Sequence, residues 1–145
     1  MINIVRSALV AAVLGFVLMS APAFAAVEKF TAQLTAGAET PPTTSTGSGT
    51  LTATFDTKTM MLTWTVTYSG LTGAATAAHF HGPAAVGVSA PPVVPVVGSL
   101  TSPIKGSVKL TEAQIAELEA GMWYFNIHTA KNPGGEIRGQ VLKAK

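Results

Sequence analysis

From Ala26 onward, apolar and polar residues alternate with a period of two through most of the chain, the pattern of strands with one buried face. The clearest run sets Met60, Leu62, Trp64, Val66 and Tyr68 on one face against Thr63, Thr65 and Thr67 on the other. Phe30, Ala32 and Leu34 mark an earlier strand, and Leu51, Ala53 and Phe55 a second. The Pro- and Thr-rich stretch from Gly37 to Gly49 reads as the loop between them. Asp56-Thr57-Lys58 is short enough for a hairpin turn. Further on, Ala77 to His81 reads as a strand, Gly82 to Pro95 as a long proline-rich loop, and Val96 to Leu110 as one or two strands broken near Pro103. Thr111-Glu112-Ala113-Gln114 fits a capping box opening a short helix, with Ile115 and Leu118 on one side and Gly121 as the stop. The last two strands, Met122 to Thr129 and Glu136 to Leu142, flank Asn132-Pro133-Gly134-Gly135. There Pro fixes the second turn position and Gly134 permits positive φ at the third. About eight short strands, one helix and no internal repeat predict an all-β fold, an antiparallel β-sandwich of the immunoglobulin-like or superoxide-dismutase-like kind or a related barrel.

The amino terminus departs from this pattern. One positive charge at Arg6, the apolar run Ala8 to Met19 and the small residues of Ala23-Phe24-Ala25 make the three-part build of a secretory signal. The expectation is cleavage after Ala25, leaving a single domain over residues 26–145, secreted or periplasmic. The run is too short for a spanning helix, which needs roughly 20 residues, and no membrane span is expected after cleavage. Loss of Arg6 leaves eight Lys and Arg against seven Asp and Glu, a net of +1. The cations are scattered singly without interleaved aromatics, so nucleic acid is not a predicted partner. With no Cys, disulfides, thiolate metal sites and a cysteine nucleophile are excluded.

Catalytic constellations are scarce. The mature chain has one Asp, Asp56, in a predicted turn, and no GxSxG, phosphate loop or dinucleotide fingerprint. Its Glu residues lie mostly in the helix or at strand ends, poor material for a glycosidase pair. Trp64 and Trp123 read as core rather than as a sugar platform. No catalytic residue is assigned, and an enzyme is not the expectation.

The three histidines carry the one candidate chemistry. His79 and His81 lie two apart in a strand, on one face and roughly 6.6–6.8 Å apart along the chain. In the next-to-last strand Trp123, Phe125 and Ile127 alternate with Tyr124, Asn126 and His128, and in the last one Glu136, Arg138 and Gln140 point outward. If the His79 strand lies beside the terminal hairpin, one polar face gathers His79, His81, Asn126, His128, Glu136 and Arg138. Imidazole suits copper, zinc and nickel, so His79, His81 and His128 are candidate ligands of one copper or zinc ion. The competing reading is that these rings hydrogen-bond to Glu136, Asn126 and loop backbone, pinning the Gly82–Pro95 excursion. Glu136 and Arg138 are expected as a solvated ion pair. Glu39, before Pro41 and Pro42, is either an acceptor within its loop or an ordinary exposed acid.

LTAGAETPP, LTGAATAAHFHGPA, TEAQIAELEAG and WYFNIHTAKNPGGEIRGQV together resemble the CHRD domain, first described in chordin and found also in exported bacterial proteins. The resemblance covers Phe30 to about Leu142. It implies an all-β extracellular module, in chordin part of an extracellular antagonist of growth-factor signalling, and it transfers no catalytic residue. A Gly-Leu-Thr turn leading into an HxH strand also resembles part of copper,zinc superoxide dismutase. That resemblance implies six histidines and an aspartate, which three histidines cannot supply. The sequence therefore supports an exported, non-catalytic CHRD-type binding or structural module. Its contact region lies around His79, His81, His128 and Arg138 and faces an extracytoplasmic protein. The alternative is a periplasmic or secreted copper- or zinc-binding protein.

Overall fold

A computed structural model describes residues 25–145, so the segment read as an export signal lies outside the described residues except for its last residue, Ala25. Eight strands form one antiparallel sheet: β1 (Val27–Thr35), β2 (Ser48–Asp56), β3 (Met61–Ser69), β4 (Ala75–His81), β5 (Pro92–Pro95), β6 (Ile104–Lys109), β7 (Trp123–Thr129) and β8 (Ile137–Lys143). Their order across the sheet is β5-β4-β7-β8-β1-β2-β3-β6. Phe30, Leu51, Leu62, Trp64, Phe80, Trp123, Phe125 and Ile137 belong to one core cluster, so the sheet curls around a single interior. Trp64 of β3 meets Phe80 of β4 edge-on at 5.1 Å between ring centroids, joining strands that lie far apart in the sheet order. The expected all-β antiparallel class is observed, in its single-sheet, nearly closed form.

Local chemistry explains most boundaries. Asp56 Oδ1 accepts from the backbone N–H groups of Lys58 and Thr59, closing the β2–β3 turn. The helix α1 (Glu112–Glu119) starts at the expected capping box, with Thr111 as N-cap and Gln114 reaching back, and stops where Gly121 takes φ 69°. In the Asn132–Gly135 turn the Gly135 N–H donates to Asn132 O, and the positive φ of 126° falls on Gly135 rather than on Gly134 as the turn pattern predicted.

Two expectations fail. Pro92–Pro95, read as loop, is a short edge strand paired with β4, because Val94 enters the core opposite Phe80. Conversely, Val96–Pro103 forms no strand, and only Ile104–Lys109 pairs, with β3. No helix among the described residues is long and apolar enough to cross a membrane.

The closest backbone approach occurs at Gly139 of β8. A Cβ there would lie 2.2 Å from Gln33 O of β1, against immobile backbone rather than a flexible side chain. Gly139→Ala is expected to destabilise by about 3 kcal/mol, the upper end of overpacking costs, by prising β1 from β8. Urea unfolding measures it, and a change below about 1 kcal/mol would show that the two strands separate without penalty.

Candidate functional site

The register of three neighbouring strands builds the site. β4 and β7 pair with His79 opposite Asn126, His81 opposite Tyr124, and Ala77 opposite His128. β7 and β8 pair with Asn126 opposite Arg138 and Tyr124 opposite Gln140. Directly opposed residues share a face, so two transverse rows arise, His79–Asn126–Arg138 and His81–Tyr124–Gln140, with His128 beside the first. Phe80, Phe125 and Ile127 occupy the opposite, core face. The strand adjacency assumed in the sequence reading is therefore present, and alternation assigned each side chain to the correct face.

That face is not open, contrary to expectation. The Gly82–Pro91 loop, the segment from Glu39 to Ser45 and the Asn132–Gly135 turn cover it, leaving Arg138 2%, Asn126 3% and Glu136 0% exposed. The covering loop is tied down at several points. Gln140 Nε2 donates to Ala84 O and Gly121 O. Arg138 donates to Val88 O at 2.7 Å and more weakly to Thr40 Oγ1. The Tyr124 hydroxyl accepts from Ala90 N–H and donates to Ala90 O. The Arg138 guanidinium lies 3.4 Å over the Tyr124 ring, whose other partner is a His81 ring stacked at 4.7 Å and nearly parallel.

Glu136 and Arg138 do not form the solvated pair predicted for them. Glu136 instead accepts from Ser45 Oγ, Thr72 N–H, Thr72 Oγ1, Thr129 Oγ1 and Asn132 Nδ2. Burial pushes its pKa up, but these hydrogen bonds to the charged form win and hold it at about 2. A knot of neutral donors thus replaces the cation. Glu39 is neither exposed nor satisfied: it is 7% exposed and its Oε1 lacks a partner. Burial outweighs the nearby Arg138 charge and raises its pKa to about 7. The room for it comes from Gly135, where a Cβ would lie 2.4 Å from Glu39 Oε1.

The histidines converge. One ring nitrogen from each of His79, His81 and His128 lies within 4.8 Å of the others. His128 Nδ1–H donates to Pro133 O, and its Nε2 faces His79 Nδ1 at 3.1 Å. His81 lies between two acceptors, its Nδ1 2.8 Å from Ala90 O and its Nε2 3.0 Å from Asn126 Oδ1, so a neutral ring donates to one of them at a time. Burial, more than the neighbouring rings, holds His79 and His81 below the ordinary imidazole pKa, so both favour the neutral form. None of the three bonds to Glu136. His81 does pin the covering loop, through Ala90, as the competing sequence reading held.

Chemically, this is a cluster of three imidazoles, of which His79 and His81 favour the neutral form, with backbone carbonyls against His81 Nδ1 and His128 Nδ1. Two nitrogens on one tetrahedral zinc would stand about 3.3 Å apart, given bonds of roughly 2.0–2.1 Å. The 3.1 Å between His79 and His128 is close to that, while His81 has to turn from Asn126 to complete the set. Ser45, Thr72, Thr129 and Asn132, which surround Glu136, were not foreseen: hydroxyl and amide residues in loops carry no period that marks a shared acceptor.

A family model described as the CHRD domain matches residues 30–141. Comparison with curated proteins and with solved structures gives no match.

The two buried acids give opposite pH signatures. Glu136, with its depressed pKa, contributes stability that is complete above about pH 4.5 and lost as pH falls toward 2. Glu39, with its raised pKa, carries a penalty that is absent below about pH 4.5 and grows until about pH 7. Glu136→Gln is therefore expected to destabilise by about 3 kcal/mol at pH 7, the scale of buried donors losing a charged acceptor, and by less near pH 2. Glu39→Gln is expected to stabilise at pH 8 and to be nearly neutral at pH 4. Urea titrations across this range measure both, and parallel stability curves for the variants and the parent would contradict the assignment.

Proposed function

Because the chain belongs to the CHRD domain family, we propose that it is an exported, non-catalytic binding module whose ligand is a copper or zinc ion held by His79, His81 and His128. The observation that carries this reading is the convergence of three ring nitrogens within 4.8 Å, on two strands that each pair on both sides. Such a site gains precision from its supports. Pro133 O accepts from His128 Nδ1–H, Ala90 O and Asn126 Oδ1 flank the two His81 ring nitrogens, and Tyr124, with Arg138 behind it, backs the His81 ring. The burial that favours the neutral form of His79 and His81 also favours binding, since a protonated imidazole cannot ligate. Arg138, expected on the contact surface, is a supporting group beneath the loop and not a point of contact.

The ion takes its place at the edge of the covering loop, where His79 and His128 are half-buried rather than sealed. Three imidazoles with a further position for water or an incoming ligand suit capture and transfer of a borderline metal better than they suit a closed structural site. Export is part of the proposal and rests on the N-terminal signal pattern together with the family.

Titration of protein purified without a His-tag, by calorimetry with Cu(II) and Zn(II), is expected to show one equivalent bound. His79→Ala and His128→Ala should each weaken it by at least about 100-fold, more than loss of an outer-layer partner costs. Binding that survives both substitutions would remove the proposal. Intact mass of the exported protein is expected to correspond to a chain beginning at Ala26, and retention of residues 1–25 would contradict export by cleavage.

A further inference from the structure

The sheet does not close. β5 and β6 are its two edges, and between them lies an open groove of about 390 Å³ lined by Val93, Val94, Val97, Val108 and Trp64, together with Gln114 of α1. Trp64 is 4% exposed, and its Nε1–H is buried without an acceptor. Burying a donor without a partner costs roughly 1–3 kcal/mol, so this N–H marks a place where an acceptor is missing. The indole can lie there because β6 has Gly106 beneath it, where a Cβ would fall 2.3 Å from the ring. Beyond its pairing with β3, the backbone of β6 makes no hydrogen bond among the described residues. One side of the strand therefore presents free N–H and C=O groups.

We propose that this gap receives an extended acidic peptide, which adds to β6 as a further strand. Main-chain pairing with β6 supplies the affinity of β-augmentation, and a peptide carbonyl in the groove accepts the Trp64 N–H. The side chains of β6 set the sign of the partner. Lys105, Ser107 and Lys109 are exposed on its outer face, while Ile104, Gly106 and Val108 turn inward. A second copy pairing antiparallel about Ser107 would place Lys105 directly against Lys109, and like charges in opposed positions repel. The same two lysines favour a strand with carboxylates at alternate positions and small apolar residues between them to enter the groove. β5 has proline at both ends, which removes two N–H groups, so the ladder forms on β6.

The test uses the ¹⁵N-labelled chain and a blocked heptapeptide of alternating Val and Glu. The expected result is saturable shifts in the amide signals of Ile104–Lys109 and in the Trp64 indole N–H. The same peptide methylated on alternate backbone nitrogens should bind at least tenfold more weakly in the phase that removes the donors facing β6. The Lys105→Glu/Lys109→Glu variant, folded by its amide spectrum, should bind at least tenfold more weakly and prefer a Val/Lys heptapeptide. Shifts that leave β6 untouched, equal binding of both methylated peptides, an unchanged preference in the charge-reversed variant, or absence of binding would each overturn the proposal. So would sedimentation showing a peptide-free dimer whose contacts protect the β6 amides.

Discussion

Antiparallel register across β4, β7 and β8 is the constraint on which the rest depends. A shift of one residue in β4 would send His79 and His81 into the core and Phe80 out of it, so the aromatic packing that fixes the interior also fixes the site. Phe80 touches Trp64, Trp123 and Phe125, giving the HFH segment a strong reason to keep its central ring inside. The histidines are thus placed by a residue that has no chemistry of its own. The packing energy of one aromatic on one face becomes positional accuracy on the other.

Covering a polar face carries a cost that the structure meets group by group. Asn126, Arg138 and Glu136 are as buried as core residues, and burial without partners would cost each of them several kcal/mol. Loop carbonyls, hydroxyls and an aromatic face take the roles that solvent would otherwise fill. Arg138 remains a cation under the loop by stacking on Tyr124 and donating to Val88 O, and Glu136 remains an anion by gathering five donors. Glu39 is the exception, with an unpartnered oxygen and a raised pKa. These choices hold opposite charges apart rather than pairing them, which leaves the covering loop fastened by many short bonds instead of one ion pair.

The sequence revealed the fold where a physical rule had a period. Alternation located β1, β2, β3, β4, β7 and β8 and assigned His79, His81, Asn126 and His128 to one face, because pleating forces it. The capping box and Gly121 announced α1 for a similarly local reason. Burial of that face was not legible, since the covering segments, Gly82–Pro91 and the stretch after Glu39, are irregular backbone without a repeating pattern. Proline led to the misreading of β5: it weakens a central strand, but this is an edge, where a missing N–H is tolerated. The expected pairing of Glu136 with Arg138 failed because they stand two apart on a chain whose loops supply closer partners to each.

The two proposed binding regions use the sheet in opposite ways. The histidines sit on β4 and β7, bonded on both sides, where neighbouring strands fix the backbone and ring nitrogens can be held to a fraction of an ångström. A metal site needs that rigidity, because affinity falls steeply when ligands must be brought together on binding. The groove lies where the sheet ends, with backbone groups left unpaired and lysines that keep another copy of the same edge away. Extended chains are recognised through that incompleteness. A curled sheet of eight strands that stops short of closure therefore separates the two proposed tasks physically: ordering of a small ion belongs to strands bonded on both sides, and selection of a polypeptide by charge to the open seam.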